Sequence, residues 1–458
     1  MKKAFNILSA VSATAVTIFI FLTPLKFGLA EAGVPIHAPK VLGEWLFFSY
    51  PNNFAYAVIG LIGALAILTA ITSGTNIFKR ESVLFAMLGW AILMLGILIA
   101  DKHLPPEWKN KSIRFQFLSY GVWFVSINIL FNSIEKKRIA LLALMTAGLI
   151  VGISAYSQYN GGFEDMRQFA AKEAGFNNFN SYTNYLLNVS KSEYAWLRVR
   201  KLAGNRVFAT FIYPNALGGF LIILLPVCIA MFKSSKEKIV RALAGISFFA
   251  GTVALLLSRS KASIVIVALA VFSIFWFAKR AGQISKTKFI TIFAVLVICA
   301  GGMLYWGYGA GLTGRLKATG AARGDYWKAA AKMIKANPWK GWGTDGFTRN
   351  YNIYKRPGAE ATRLTHNAFL NIWTDYGITG LIGIMIALLI PVFVGLKIQI
   401  NPENFDWLTA SCFAAGTGFV LHCLVDFDFH IIGIVIPALL VLSFAMIKPE
   451  IEITKNDN

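Results

Sequence analysis

Apolar runs long enough to cross a bilayer recur along this 458-residue chain, and no other feature narrows its possible folds so far. A spanning helix needs roughly 20 consecutive apolar residues. Stretches such as VLFAMLGWAILMLGILIA and IGIVIPALLVLSFAMI meet or approach that length. Twelve spans can be drawn, centred near residues 15, 63, 92, 124, 148, 220, 250, 270, 298, 384, 416 and 438. The composition agrees: 56% hydrophobic residues, 14% charged and a mean hydropathy of +0.60 lie far from soluble averages. The sequence therefore predicts an all-α, polytopic membrane protein with about 12 transmembrane helices, a single membrane domain over 1–458, and both termini on one side.

The basic residues of the short loops give the orientation. Lys2 and Lys3, Lys79 and Arg80, EKKR at 135–138, KSSKEKIVR at 233–241 and KRAGQISKTK at 279–288 fall on alternate loops with the chain ends. The positive-inside rule assigns these to the cytoplasm. The opening segment, with Ala30-x-Ala32 after it, has the outline of a signal peptide. Its apolar core exceeds the usual 7 to 15 residues, so it is expected to remain as the first span. Cys228, Cys299, Cys412 and Cys423 all fall inside spans, which implies neither a disulfide frame nor a zinc site.

Two large exported loops interrupt this pattern, at 158–208 and 309–366. The first is aromatic and Asn-rich (GFNNFNSYTNYLLN), with seven basic residues against four acidic. The second carries eleven Lys and Arg against Asp325, Asp345 and Glu360. Long loops escape the positive-inside rule, so this excess does not overturn the orientation. Anionic lipid headgroups would draw such charges to the surface. So would an anionic substrate, because arginine offers planar paired donors that match phosphate oxygens. No recognised nucleic-acid module accompanies the charge, and a nucleic-acid partner is not expected.

Within the second loop, ARGDYWKAAAKMIKANPWKGWG has a helical rhythm: Tyr326, Ala330 and Met333 share one flank, and Lys328, Lys332 and Lys335 another. This predicts an amphipathic, interface-lying helix. Asp325 suits its start, Asn337-Pro338 its end, and Arg323 would then sit where the helix dipole adds to its charge. Two further cations, Arg259 and Lys261 in LLLSRSKAS, lie in a tight turn between spans seven and eight on the same exported side.

Of five histidines, His366 stands where the basic loop meets span ten, and an imidazole there can take a proton from a hydroxyl at neutral pH. The segment HCLVDFDFH places His422, Asp426, Asp428 and His430 at the exported end of spans eleven and twelve. His422 and Asp426 are four apart, as on one helix face, which suggests an orienting or structural pair rather than a metal site.

These residues together resemble the O-antigen ligase and polymerase family of bacterial inner-membrane glycan transferases. His366-Asn367, nine residues and then Gly377-Ile378-Thr379-Gly380-Leu381 is similar to that family's motif. Arg323-x-x-x-Trp327 with Ala330, Pro338, Gly341-x-Gly343 and Phe347 resembles the end of its large periplasmic loop. NRVFATFIYPNALGGFL and LSRSKAS match two further segments, so the likeness covers roughly 200–430. It implies metal-independent, inverting transfer of a glycan from undecaprenyl pyrophosphate to an acceptor hydroxyl at the periplasmic face, with no cofactor.

By the same resemblance Arg323, Arg206 and Arg259 contact the diphosphate and His366 is the base. Lys261, Arg315 and Asn367 join them as expected substrate contacts, Lys261 and Arg315 on charge and position alone. Gly377 and Gly380 are expected to permit close helix packing beneath the motif. Lipid A core is the expected acceptor, with another repeat unit or an exported protein as alternatives. A transporter for the lipid-linked glycan would need charged or polar groups at mid-membrane, and the sequence places nearly all its charges at span ends.

Overall fold

The computed structural model describes residues 2–29, 45, 49–73, 80–188, 199, 202–308 and 312–448, with the side chains of 2–6 and 306–319 not described. Lys79, Ala30, Ala32, the side chains of Lys2 and Lys3, and the last ten residues lie outside this set. Among the described residues there are sixteen α-helices and no strand.

The first five are α1 (Lys2–Lys26), α2 (Asn52–Ser73), α3 (Glu81–Asp101), α4 (Lys111–Leu130) and α5 (Ile134–Ser157). Two short helices, α6 (Phe163–Glu173) and α7 (Phe179–Asn188), form the first large loop. Then come α8 (Pro214–Ser234), α9 (Lys238–Ser258), α10 (Lys261–Arg280) and α11 (Lys286–Tyr308). The second large loop holds α12 (Leu312–Ala336) and α13 (Gly346–Tyr354), before α14 (Ala368–Ile400), α15 (Trp407–His422) and α16 (Ile432–Ala445).

Each of the twelve expected span centres falls in a separate helix. Among the described residues, ten helices are long and apolar enough to cross a membrane. The last two are shorter, at 16 and 14 residues, or about 24 and 21 Å at 1.5 Å per residue. All of α16 is buried, and α8 is buried along most of its length. Both contain an internal proline, at 437 and 226. By contrast α11 displays Ile290, Phe293, Val297 and Ile298 outward, as suits a lipid-facing surface.

Among the described residues the most extensive helix pairing is α14 against α3, and glycines permit it. A Cβ on Gly383 would lie 2.2 Å from the Leu93 nitrogen, and one on Gly96 2.6 Å from the Gly380 nitrogen. Gly380 thus packs as its motif suggests. Gly377 does something else: at φ 65 and ψ −169 it breaks the helix. The break lets the Thr374 and Asp375 carbonyls accept from Trp342 N (3.0 Å) and Gly343 N (2.7 Å), while Ile378 N donates to the Pro338 carbonyl (3.0 Å). The loop segment after α12 is thereby stitched into the kink of α14.

A second stitch joins the same segment to α3. Asp101, the last residue of α3, accepts from Thr344 N and Thr344 Oγ1, both at 2.8 Å, and from Arg114 Nε at 2.8 Å. At the same end of the bundle Thr210 Oγ1 donates to the Pro24 carbonyl (2.6 Å) and Gly433 N to the Phe27 carbonyl (2.8 Å). Both large loops and the α9–α10 and α15–α16 connections therefore gather at one face.

Candidate active site

Asp426, in the connection between α15 and α16, is the hub of that face. Its carboxylate is fully buried. Oδ1 accepts from Tyr213 Oη at 2.6 Å and from Phe427 N at 2.8 Å, and meets His366 Nδ1 at 3.2 Å. Oδ2 is buried without a hydrogen bond and has an Arg323 guanidinium nitrogen 3.9 Å away. Burial alone would raise its pKa. The hydrogen bond and charge of His366, with the charges of His422 and Arg323, outweigh burial and hold the carboxyl well below the usual carboxylate range. Burial, reinforced by Asp426 and Asp428, raises the Tyr213 phenol, which stays protonated and donates.

His366 is held from all sides. Its backbone is left-handed, φ 51, a conformation L-residues rarely adopt without support. That support comes from its neighbours: Trp327 Nε1 donates to the Thr365 carbonyl (3.1 Å), Thr365 N to Asn371 Oδ1 (3.2 Å), and Ala368 N to the Cys423 carbonyl (2.8 Å). The imidazole is stacked against Tyr326, with centroids 5.8 Å apart, and edge-on to Phe427 at 4.9 Å. Its side chain remains 27% exposed, enough for a substrate atom to reach it.

Arg323 and Trp327 are one turn apart on α12, so one side chain reaches Asp426 while the other fixes the backbone beside His366. The expected helix start is wrong, however. α12 begins at Leu312, so Arg323 is mid-helix and gains nothing from the N-terminal dipole, and Asp325 pairs with Arg356 at 2.9 Å instead of capping. The helix does end just before Asn337-Pro338. Its apolar flank is covered by α13 rather than by membrane: Tyr326, Ala329, Ala330 and Met333 pack on Phe347 and Tyr351.

The other basic residues form a second group at the α9–α10 turn. Arg206 Nε donates to the Ser258 carbonyl (2.9 Å), and its terminal nitrogen to Asn215 Oδ1 (3.0 Å) and the Arg259 carbonyl (3.4 Å). Arg259 caps α9 in the left-handed region and is half-buried, and Lys261 opens α10 beside it. Arg315 lies on α12, with its side chain outside the described residues. Asn367 caps α14, its Oδ1 accepting from Leu370 N at 3.0 Å.

His422 does not pair with Asp426. α15 ends at His422, so the two are not on one helix face. His422 Nδ1 meets Asp428 Oδ2 at 2.5 Å, and the side-chain contacts of Asp426 go instead to His366, Tyr213 and Arg323. The roles of Asp426 and Tyr213 escape motif spacing, because their partners lie 60 and 213 residues away along the chain. One signal was present: an acid in a short connection between two strongly apolar helices demands a cation or a donor.

Comparison with known proteins adds to this geometry. Residues 244–385 match the family described as O-antigen ligase. The matched stretch holds Arg259, Lys261, Arg315, Arg323, His366, Asn367 and the two motif glycines, while Arg206 and Asp426 lie outside it. A Haemophilus influenzae protein described as uncharacterized is 31% identical over 90 residues, which cover 19% of this chain and 22% of that protein. Residues 244–385 thus resemble the O-antigen ligase family, and they are set within an all-α polytopic membrane protein.

Proposed function

We propose that the protein is a glycan ligase: it transfers a glycan from undecaprenyl pyrophosphate to a hydroxyl of lipid A core at the periplasmic face of the bacterial inner membrane. The observation that carries this reading is the meeting of His366, Asp426 and Arg323 at one point. An ionised carboxylate only accepts, so His366 donates through Nδ1 and presents Nε2 as the base. The acceptor hydroxyl gives its proton to Nε2 as its oxygen attacks the anomeric carbon. The bond from that carbon to the diphosphate oxygen breaks, and the electron pair leaves on the pyrophosphate.

Each group has a share in that step. Arg323, attracted to Asp426 without a hydrogen bond to it, keeps guanidinium N–H groups for the departing phosphate, with Arg206, Arg259, Lys261 and Arg315 as further diphosphate contacts. Attack opposite the leaving group inverts the anomeric centre. A carboxylate nucleophile is disfavoured by geometry, since Asp426 is buried behind His366. The transfer requires no metal or other cofactor in this scheme, and both termini lie in the cytoplasm by the charge of the short loops.

The deciding experiment offers purified protein a lipid-linked glycan with three acceptors in parallel: lipid A core, a second lipid-linked repeat unit and a pilin-type peptide, all with chelator present. Product on lipid A core alone supports the ligase assignment. Product on the repeat unit or peptide would reassign the acceptor, and loss of all transfer with chelator would end the metal-free mechanism. His366→Ala and Arg323→Ala should each abolish transfer while the protein still folds.

A further inference from the structure

The mechanism leaves one buried polar chain unused. His422 Nδ1 meets Asp428 Oδ2 at 2.5 Å, His422 Nε2 meets Ser263 Oγ at 3.1 Å, Ser263 Oγ meets Ser260 Oγ at 2.8 Å, and Ser260 N donates to Ser258 Oγ at 3.3 Å. All five residues are buried, too deep to touch a substrate. The carboxylate fixes the order of protons: His422 donates through Nδ1, so Nε2 accepts from Ser263, whose oxygen accepts from Ser260.

Two features show that the fold makes room for this chain. A Cβ on Gly218 would lie 2.2 Å from Ser263 Oγ, and one on Gly219 2.4 Å from Asp428 Oδ2. The consecutive glycines of α8 thus admit the relay from its two ends. Its far end brackets Arg259, which stands between Ser258 and Ser260 at φ 51 and ψ 35. That left-handed backbone is strained for a residue other than glycine and needs support from its surroundings. The carbonyls of Ser258 and Arg259 also anchor Arg206. The near end is Asp428, two residues from the Asp426 that orients His366.

We propose that Asp428, His422, Ser263 and Ser260 form a positioning relay that holds the Arg259 turn in its left-handed conformation, and so sets both turn arginines toward the donor diphosphate. It rests on the reading of Arg259 as a diphosphate contact. A buried carboxylate and its polar partners are seldom justified by stability alone, because apolar residues of similar volume do as well or better. Geometry is what this one provides: it ties the arginine turn to the connection that carries the base.

The test is a double-mutant cycle read by binding of geranylgeranyl diphosphate to the detergent-purified full chain. Arg259→Ala, Ser263→Ala and His422→Leu should each weaken binding, by about tenfold for the first. Because the relay acts through the turn that carries Arg259, adding Ser263→Ala or His422→Leu to Arg259→Ala should weaken binding by less than the same change does in the wild-type chain. Additive losses, or wild-type affinity in Ser263→Ala, overturn the relay. Wild-type affinity in Arg259→Ala instead overturns the diphosphate reading of that arginine, and the relay with it. Ser263→Ala removes only one hydroxyl, so the cycle stands even if His422→Leu does not fold.

Discussion

His366 and Asp426 are separated by 60 residues of chain and by 3.2 Å in space, and neither lies within a helix. The pair exists because two connections at one end of the bundle are locked together, Ala368 N to the Cys423 carbonyl at 2.8 Å being the backbone bond between them. A base carried on a mobile loop would lose its orientation at each excursion. Here the loop is stitched to α3 and to the kink of α14, and His366 inherits their rigidity.

Asp426→Asn should therefore lower the rate of glycan transfer by ~10² to 10⁴-fold with little change in donor KM. The amide can donate to Nδ1, which favours the tautomer that blocks Nε2 as a base. Tyr213→Phe removes one donor to the same oxygen and should cost only about three- to tenfold. Steady-state kinetics on the two variants checks both. Equal losses would mean that the carboxylate is held for structure alone.

The pH dependence of stability has a defined sign. The folded pKa of Asp426 is depressed, so its contribution is fully present above the unfolded carboxylate value, near 4. It is lost as pH falls through the lower, folded value. The difference in Tm between the wild-type protein and Asp426→Asn should be flat from about pH 5 to 8 and shrink below about pH 4. A difference that grows on acidification would contradict the assignment.

The α3–α14 crossing yields a packing prediction. Gly383→Leu forces a side chain into the Leu93 backbone and should cost about 3 kcal/mol or more, read as loss of monodisperse protein in detergent or a large fall in Tm. Gly245→Ala, where nothing lies within 4 Å of the new methyl, should be neutral or slightly stabilising.

What the sequence discloses follows from the range of each signal. Helix positions were legible because hydrophobicity is a local, cumulative property: all twelve centres fall in helices, of which ten are long and apolar enough to cross a membrane among the described residues. Motif spacing singles out His366 and Arg323, and the structure brings both to Asp426. The start of α12 was not legible: the glycines at 314, 320 and 324 lower the helix propensity of its first half, which the structure nonetheless folds as helix from Leu312. At Gly377 the small-residue motif marks a close approach, but to the loop backbone at the Trp339 carbonyl rather than to a helix, and it gives no sign of the positive φ that breaks α14. Asp426 was paired with the wrong histidine, His422 in place of His366, because a carboxylate's partner across 60 residues leaves no periodic trace.

Asn367 offers the sharpest choice between two roles for one motif residue. In the structure its Oδ1 caps α14 through Leu370 N at 3.0 Å, and its carbonyl accepts from Thr365 Oγ1 at 2.6 Å. A serine at this position retains the cap, whereas alanine loses it at about 1 kcal/mol. If Asn367 acts as a cap, Asn367→Ser should keep near wild-type transfer and Tm, and Asn367→Ala should lower both by shifting the backbone next to His366. If its amide binds substrate, serine and alanine should lose transfer alike while only alanine loses stability. Measuring rate and Tm on the same two variants separates the roles, because the cap couples the two quantities and a substrate contact does not.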